Sequence, residues 1–132
     1  MRFSLVVVAL AALLVASVAL AKTQTSATIT SLSASGISGT ADFSILGNGQ
    51  VRVHESLSGL SPGVQYVTFV YQGSTTCGAG ATTAMIQTFT SNPAGKANFD
   101  VVVPAQVNIN PGASVSVQRV TDNALLACGE IQ

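Results

Sequence analysis

The sequence predicts an all-β domain, an antiparallel sandwich or barrel, on three observations. Apolar and polar residues alternate with period two in several stretches from Lys22 onward, the pattern of strands with one buried face. Clusters of Gly, Pro and Asn punctuate those stretches at roughly the 8–12-residue spacing of small β-folds. The composition is rich in Ser, Thr, Gly and Val, with 5% aromatics and no Trp, and such a mixture favours strands and turns over helices. A chain of 132 residues has room for one domain of this kind plus a targeting segment.

The first element is that segment. Residues 1–21 open with a basic position at Arg2, continue through an unbroken apolar run from Leu5 to Leu14 and end in Ala19-Leu20-Ala21. Small side chains at the outer positions of the triplet fit a signal peptidase, so cleavage after Ala21 is expected, against the alternative of a retained anchor. Residues 22–132 are then a secreted, extracellular domain with no membrane partner after cleavage. Its four cations (Lys22, Arg52, Lys96, Arg119) and five carboxylates (Asp42, Glu55, Asp100, Asp122, Glu130) leave a net charge near −1. No basic cluster is present for a phosphate backbone to meet, and nucleic acid is excluded as a partner. In an oxidising space the two cysteines, Cys77 and Cys128, are expected to be joined.

Strands are expected at residues 27–33, 39–46, 50–58, 65–72, 84–90, 97–103, 114–120 and 125–128. Gly47-Asn48-Gly49 closes the second and third as a tight hairpin, because Gly and Asn accept positive φ. Ser91-Asn92-Pro93-Ala94-Gly95 is assigned the same part between the fifth and sixth. Pro104 and Pro111 fall at a strand end and in a loop, where a missing N–H costs no ladder bond. In the third strand Val51, Val53 and Leu57 share the core face, opposite Arg52, His54 and Ser56. In the fourth, Val67, Phe69 and Tyr71 are assigned to the core and Tyr66, Thr68 and Val70 to the outside. In the seventh, Val115 and Val117 face inward against Ser114, Ser116 and Gln118.

Three motifs then stand in order: Gly59-Leu60-Ser61-Pro62-Gly63 before a strand, Gly73-Ser74-Thr75-Thr76-Cys77-Gly78-Ala79-Gly80 after it, and Asn123-Ala124-Leu125-Leu126-Ala127-Cys128-Gly129-Glu130-Ile131 at the end. Together they resemble the copper/zinc superoxide dismutases over most of residues 38–131, the terminal Ala-Cys-Gly-x-Ile being the most specific piece. A chordin-repeat type of domain also has a Gly-Leu turn, but the Ala-Cys-Gly ending argues against it. The resemblance implies an eight-stranded Greek-key barrel with a Cys77–Cys128 bridge from loop to last strand. Its chemistry does not carry over. The family's His-x-His pair falls on Thr68 and Val70, its later copper-binding histidine on Gln118 and its anion-guiding arginine on Leu125, and the zinc loop is largely deleted. Copper and zinc need several imidazole or carboxylate ligands, and this chain has one histidine.

No metal, cofactor or catalytic residue is therefore expected. His54, beside Arg52 and Glu55, reads as a solvated surface histidine, since a site needs a second ligand or an oriented partner. A serine hydrolase using it would lack the Gly-x-Ser-x-Gly elbow, and Gly78-Ala79-Gly80 lacks the Lys-Ser/Thr of a phosphate cradle. The patch Tyr66, Thr68, Val70 and Gln118, where the resembling family holds its copper, is the candidate binding surface. The functional expectation is an inert barrel, a pseudoenzyme, that binds or supports an unidentified extracellular protein or a cell-wall or matrix component, with self-association through strand edges possible in principle. The alternative is a metal-dependent dismutase with unconventional ligands.

Overall fold

The computed structural model describes residues 24–104 and 106–132, and the expected signal segment lies outside them. Among the described residues eight strands form: β1 Gln24–Ser31, β2 Ser38–Ile45, β3 Val51–Ser58, β4 Gln65–Gln72, β5 Thr82–Thr90, β6 Ala97–Val103, β7 Ser114–Arg119 and β8 Leu125–Glu130. All eight expected strands are present, with ends shifted by a few residues. They hydrogen-bond antiparallel in the order β5-β4-β7-β8-β1-β2-β3-β6, a sheet that curls until its two end strands, β5 and β6, meet. Strand β1 stitches the halves together, pairing with β2 from Gln24 to Ile29 and with β8 at Thr30 and Ser31.

Period-two alternation builds the core. The inward positions of β1, β2 and β3 are Ala27, Ile29, Ala41, Phe43, Val51, Val53 and Leu57, all buried in one cluster with Val115 and Val117 of β7. Strand β3 carries the cleanest pattern, every odd position buried and every even one exposed except Ser58 at its end. Apolar burial of this kind contributes about 25 cal/mol per Å² removed from water, which is what offsets the ordering of eight extended segments.

Local turn chemistry behaves as read at the first hairpin. Gly49 has φ +83°, its N–H reaches the Leu46 carbonyl at 2.9 Å, and Asn48 Oδ1 accepts from the Gln50 N–H at 3.1 Å. The second proposed hairpin is corrected. Residues 91–96 do make a tight turn, with Asn92 Oδ1 accepting from the N–H groups of Ala94 and Lys96. The strands on either side, however, do not pair: β5 bonds β4 and β6 bonds β3. The reason is tertiary. The turn is stapled to the β3–β4 connection, through Leu60 N–H to the Gly95 carbonyl at 3.0 Å and Ser91 Oγ to the Ser61 carbonyl, so it delivers the two strands into different parts of the sheet. Gly95 has φ +70°, and a Cβ there would overlap the Leu60 carbonyl oxygen, so this junction requires glycine.

Candidate functional site

The register between β4 and β7 decides which side chains share a surface. Thr68 lies opposite Val117 and Val70 opposite Val115, and those valines are core. Tyr66, Thr68 and Val70 therefore point into the barrel, and all three are buried. Gln118 lies opposite Val67, on the other side of the sheet. The expected patch of Tyr66, Thr68, Val70 and Gln118 is thus corrected: three members are interior and one is exterior. The physical reason is that β4 is apolar on both faces, so alternation could not say which face was inside. Tyr66 is tolerated within because its ring stacks against Phe89 at 5.9 Å and its hydroxyl accepts the Ser61 N–H at 2.9 Å.

The outer side of β5, β4 and β7 consequently carries Val67, Phe69 and Tyr71, the set assigned to the core from sequence, Val67 being covered there. Phe69 stands between Met85 of β5 and Ser116 of β7. Phe69 and Tyr71 are half-buried, and Met85 is 58% exposed. Gln118 Nε2 donates to Tyr71 Oη at 2.6 Å and reaches Ser116 Oγ at 3.3 Å. At one end this surface is roofed by the loop after β4. The Cys77–Cys128 disulfide, with Cα atoms 6.1 Å apart, ties the loop to β8, and the Cys77 N–H donates to Ser114 Oγ at 2.9 Å. The bridge is the pairing expected. The loop leaves Phe69, Tyr71 and Met85 as an aromatic and thioether surface, with the Gln118 amide buried beneath Tyr71, a set suited to contact rather than to proton transfer.

His54 lies on the opposite outer face, where Asp42 of β2 and Asp100 of β6 flank it in one cross-strand row. Asp100 is already engaged by Arg52, whose Nε and second guanidinium nitrogen each donate at 2.8 Å. That hydrogen-bonded guanidinium holds the Asp100 carboxyl below its ordinary range. His54 Nδ1 stands 3.9 Å from Asp100 Oδ2, outside hydrogen-bonding distance. The sequence reading missed this row because strand pairing brings its members together, not spacing along the chain.

Glu55 was missed as well. It stands in the same odd register as Val51, Val53 and Leu57, and the barrel buries it completely, at 0% exposure. Among the described residues neither carboxylate oxygen has a partner in a well-formed hydrogen bond, and the nearby buried Thr68 hydroxyl makes none either. Burial pushes the carboxyl up to about 8, and the proximity of the Thr68 hydroxyl acts in the other direction. A group held so is neutral at pH 7 and able to donate a proton in a hydrogen bond. The signal for it was the alternation itself.

Copper and zinc fail the test of their donors. Thr68 and Val70 are interior hydroxyl and aliphatic groups, Gln118 is an amide on the far side of the strand, and among the described residues no three His, Cys, Asp or Glu side chains converge to hold a metal ion. Such groups do not replace imidazoles around either ion. The residues present do not fit the centre that the resemblance implies.

No protein-family model matches the chain. No curated protein matches it either. Among solved structures, the chain is similar to one described as the clock protein EA4, with a TM-score of 0.63 and 15% sequence identity, over 83% of this chain and 94% of that one. At that identity the likeness is one of fold: eight antiparallel strands in a nearly closed barrel.

Proposed function

We propose that this chain is an exported, catalytically inert barrel of the superoxide dismutase-like fold that works as an extracellular binding or structural module. Its contact surface is the outer face of β5, β4 and β7, and its partner is another extracellular protein or a cell-wall or matrix component. One observation carries the reading: Phe69, Tyr71 and Met85 make that face hydrophobic, the Tyr71 hydroxyl being held by the buried amide of Gln118, with no ionisable group among them apart from the Tyr71 phenol. Aromatic and methionine side chains flanked by polar groups are the usual anchors of a protein contact. The unsuitable donor set inside and outside β4 supports the absence of a metal-based reaction.

Two measurements test the reading. Protein incubated with copper and zinc and then desalted is expected to retain far less than one ion per chain and to show no dismutase activity. Stoichiometric metal together with activity would restore the dismutase alternative. Separately, Phe69→Ser combined with Met85→Lys is expected to lower retention on native extracellular matrix or wall material at least about tenfold, the loss of one or two anchor contacts. Thermal unfolding should stay close to that of the parent. Unchanged retention would remove this face from the proposal.

A further inference from the structure

Around the barrel every pair of neighbouring strands is joined by a ladder except one. Strands β5 and β6 end the hydrogen-bonded order, and where they meet the closure is made by side chains: Phe89 of β5 packs on Phe99 of β6 with ring centroids 5.1 Å apart. Phe99 is also the cross-strand neighbour of Glu55, whose other neighbour is Ala41 of β2. The fully buried carboxyl, without a well-formed hydrogen bond among the described residues, therefore lies behind the one unladdered seam.

We infer that Glu55 makes β6 a proton-controlled gate: with the carboxyl neutral the β5–β6 seam stays shut, and ionisation draws β6 outward so that water reaches the carboxylate.

The surroundings leave an ionised Glu55 no other relief. From β2 it meets Ala41, from β6 Phe99, and from β4 Thr68, while Val53 and Leu57 flank it on its own strand. The titratable group that also points inward from β4 is Tyr66, and its hydroxyl is committed to the Ser61 N–H. Asp42 of β2, Arg52 and His54 of β3 and Asp100 of β6 occupy the even, outer positions of their strands, so no cation of these strands faces the carboxylate among the described residues. A buried charge without a partner is the costliest group a core can hold. Opening the seam separates the Phe89–Phe99 contact and one of the two end strands; β6 is the end strand paired with Glu55, and a route between any other neighbouring strands breaks a ladder flanked by ladders. Edge elements with few cross-links are where local opening occurs.

The linkage is quantitative. In the closed barrel the carboxyl titrates at about 8, and in the open form it is solvated and titrates in the ordinary carboxylate range. Opening therefore becomes about tenfold more favourable for each pH unit between those limits and levels off above the upper one.

Hydrogen exchange read strand by strand tests the gate. After correction for the intrinsic pH dependence of exchange, protection of the β6 amides bonded to β3 is expected to fall about tenfold per pH unit from about pH 5.5 to 7.5. Amides joining β1 to β2 should change far less. In Glu55→Gln, and in Glu55→Met should the buried amide prevent folding, β6 protection should be flat over the same window. A parent protein whose β6 protection does not change with pH, a slope that persists in both variants, or an equal loss of protection in all strands would each overturn the gate.

Discussion

Replacing Cys77 and Cys128 together by alanine is expected to lower the unfolding free energy by about 4 kcal/mol. The two half-cystines are 51 positions apart, and releasing a loop of that length returns about this much conformational freedom to the denatured chain. A second loss adds to the first. The loop after β4 is held over β7 and β8 by the bridge together with the Cys77 N–H to Ser114 contact, and without the covalent tie its ordering must rest on a few hydrogen bonds. Urea unfolding of the parent and the double variant, read at equal denaturant slope, measures the difference. A change below about 1 kcal/mol would mean that the native loop opposes the bridge as strongly as the denatured chain is freed by losing it.

Glu55→Met is expected to act in the opposite sense and to stabilise the barrel by about 3 kcal/mol at pH 7, because an unpaired carboxyl is exchanged for an apolar side chain of similar length. The sign follows from proton counting. The folded-state value, about 8, lies above that of the unfolded chain, near the ordinary 4.5. Below the lower value both states hold the proton and Glu55 costs nothing through ionisation. As pH rises through the interval the unfolded chain releases a proton that the folded barrel keeps, so stability falls, and the loss levels off above about pH 8. The whole interval corresponds to about 5 kcal/mol. Denaturant unfolding of parent and variant across that range should diverge as pH rises, the variant showing none of this slope. Parallel curves would place the Glu55 carboxyl in an environment that solvates it.

Particular residues mark how far the sequence was legible. The Gly47-Asn48-Gly49 hairpin was readable because the whole determinant, positive φ and a side-chain acceptor, lies within four positions. The Cys77–Cys128 bridge was readable from an even cysteine count and from the motifs around it. The turn at residues 91–96 was read correctly as a turn and wrongly as a hairpin, since its strands are separated by bonds to Leu60 and Ser61, some thirty positions away. The interior position of Glu55 was present in the alternation, but its charge hid it.

Alone, the sequence determined the number of strands, their approximate limits, the spacing of the turns and the absence of a set of imidazoles. All of these follow from short-range geometry, a two-residue side-chain period and the conformational range of each residue type. The tertiary structure decided which face of β4 is inside, which side chains form the outer surface with Gln118, and that Glu55 sits behind an unladdered seam. Each of those outcomes depends on which strand lies alongside which, and that pairing is selected by the total burial of the closed barrel rather than by any one segment.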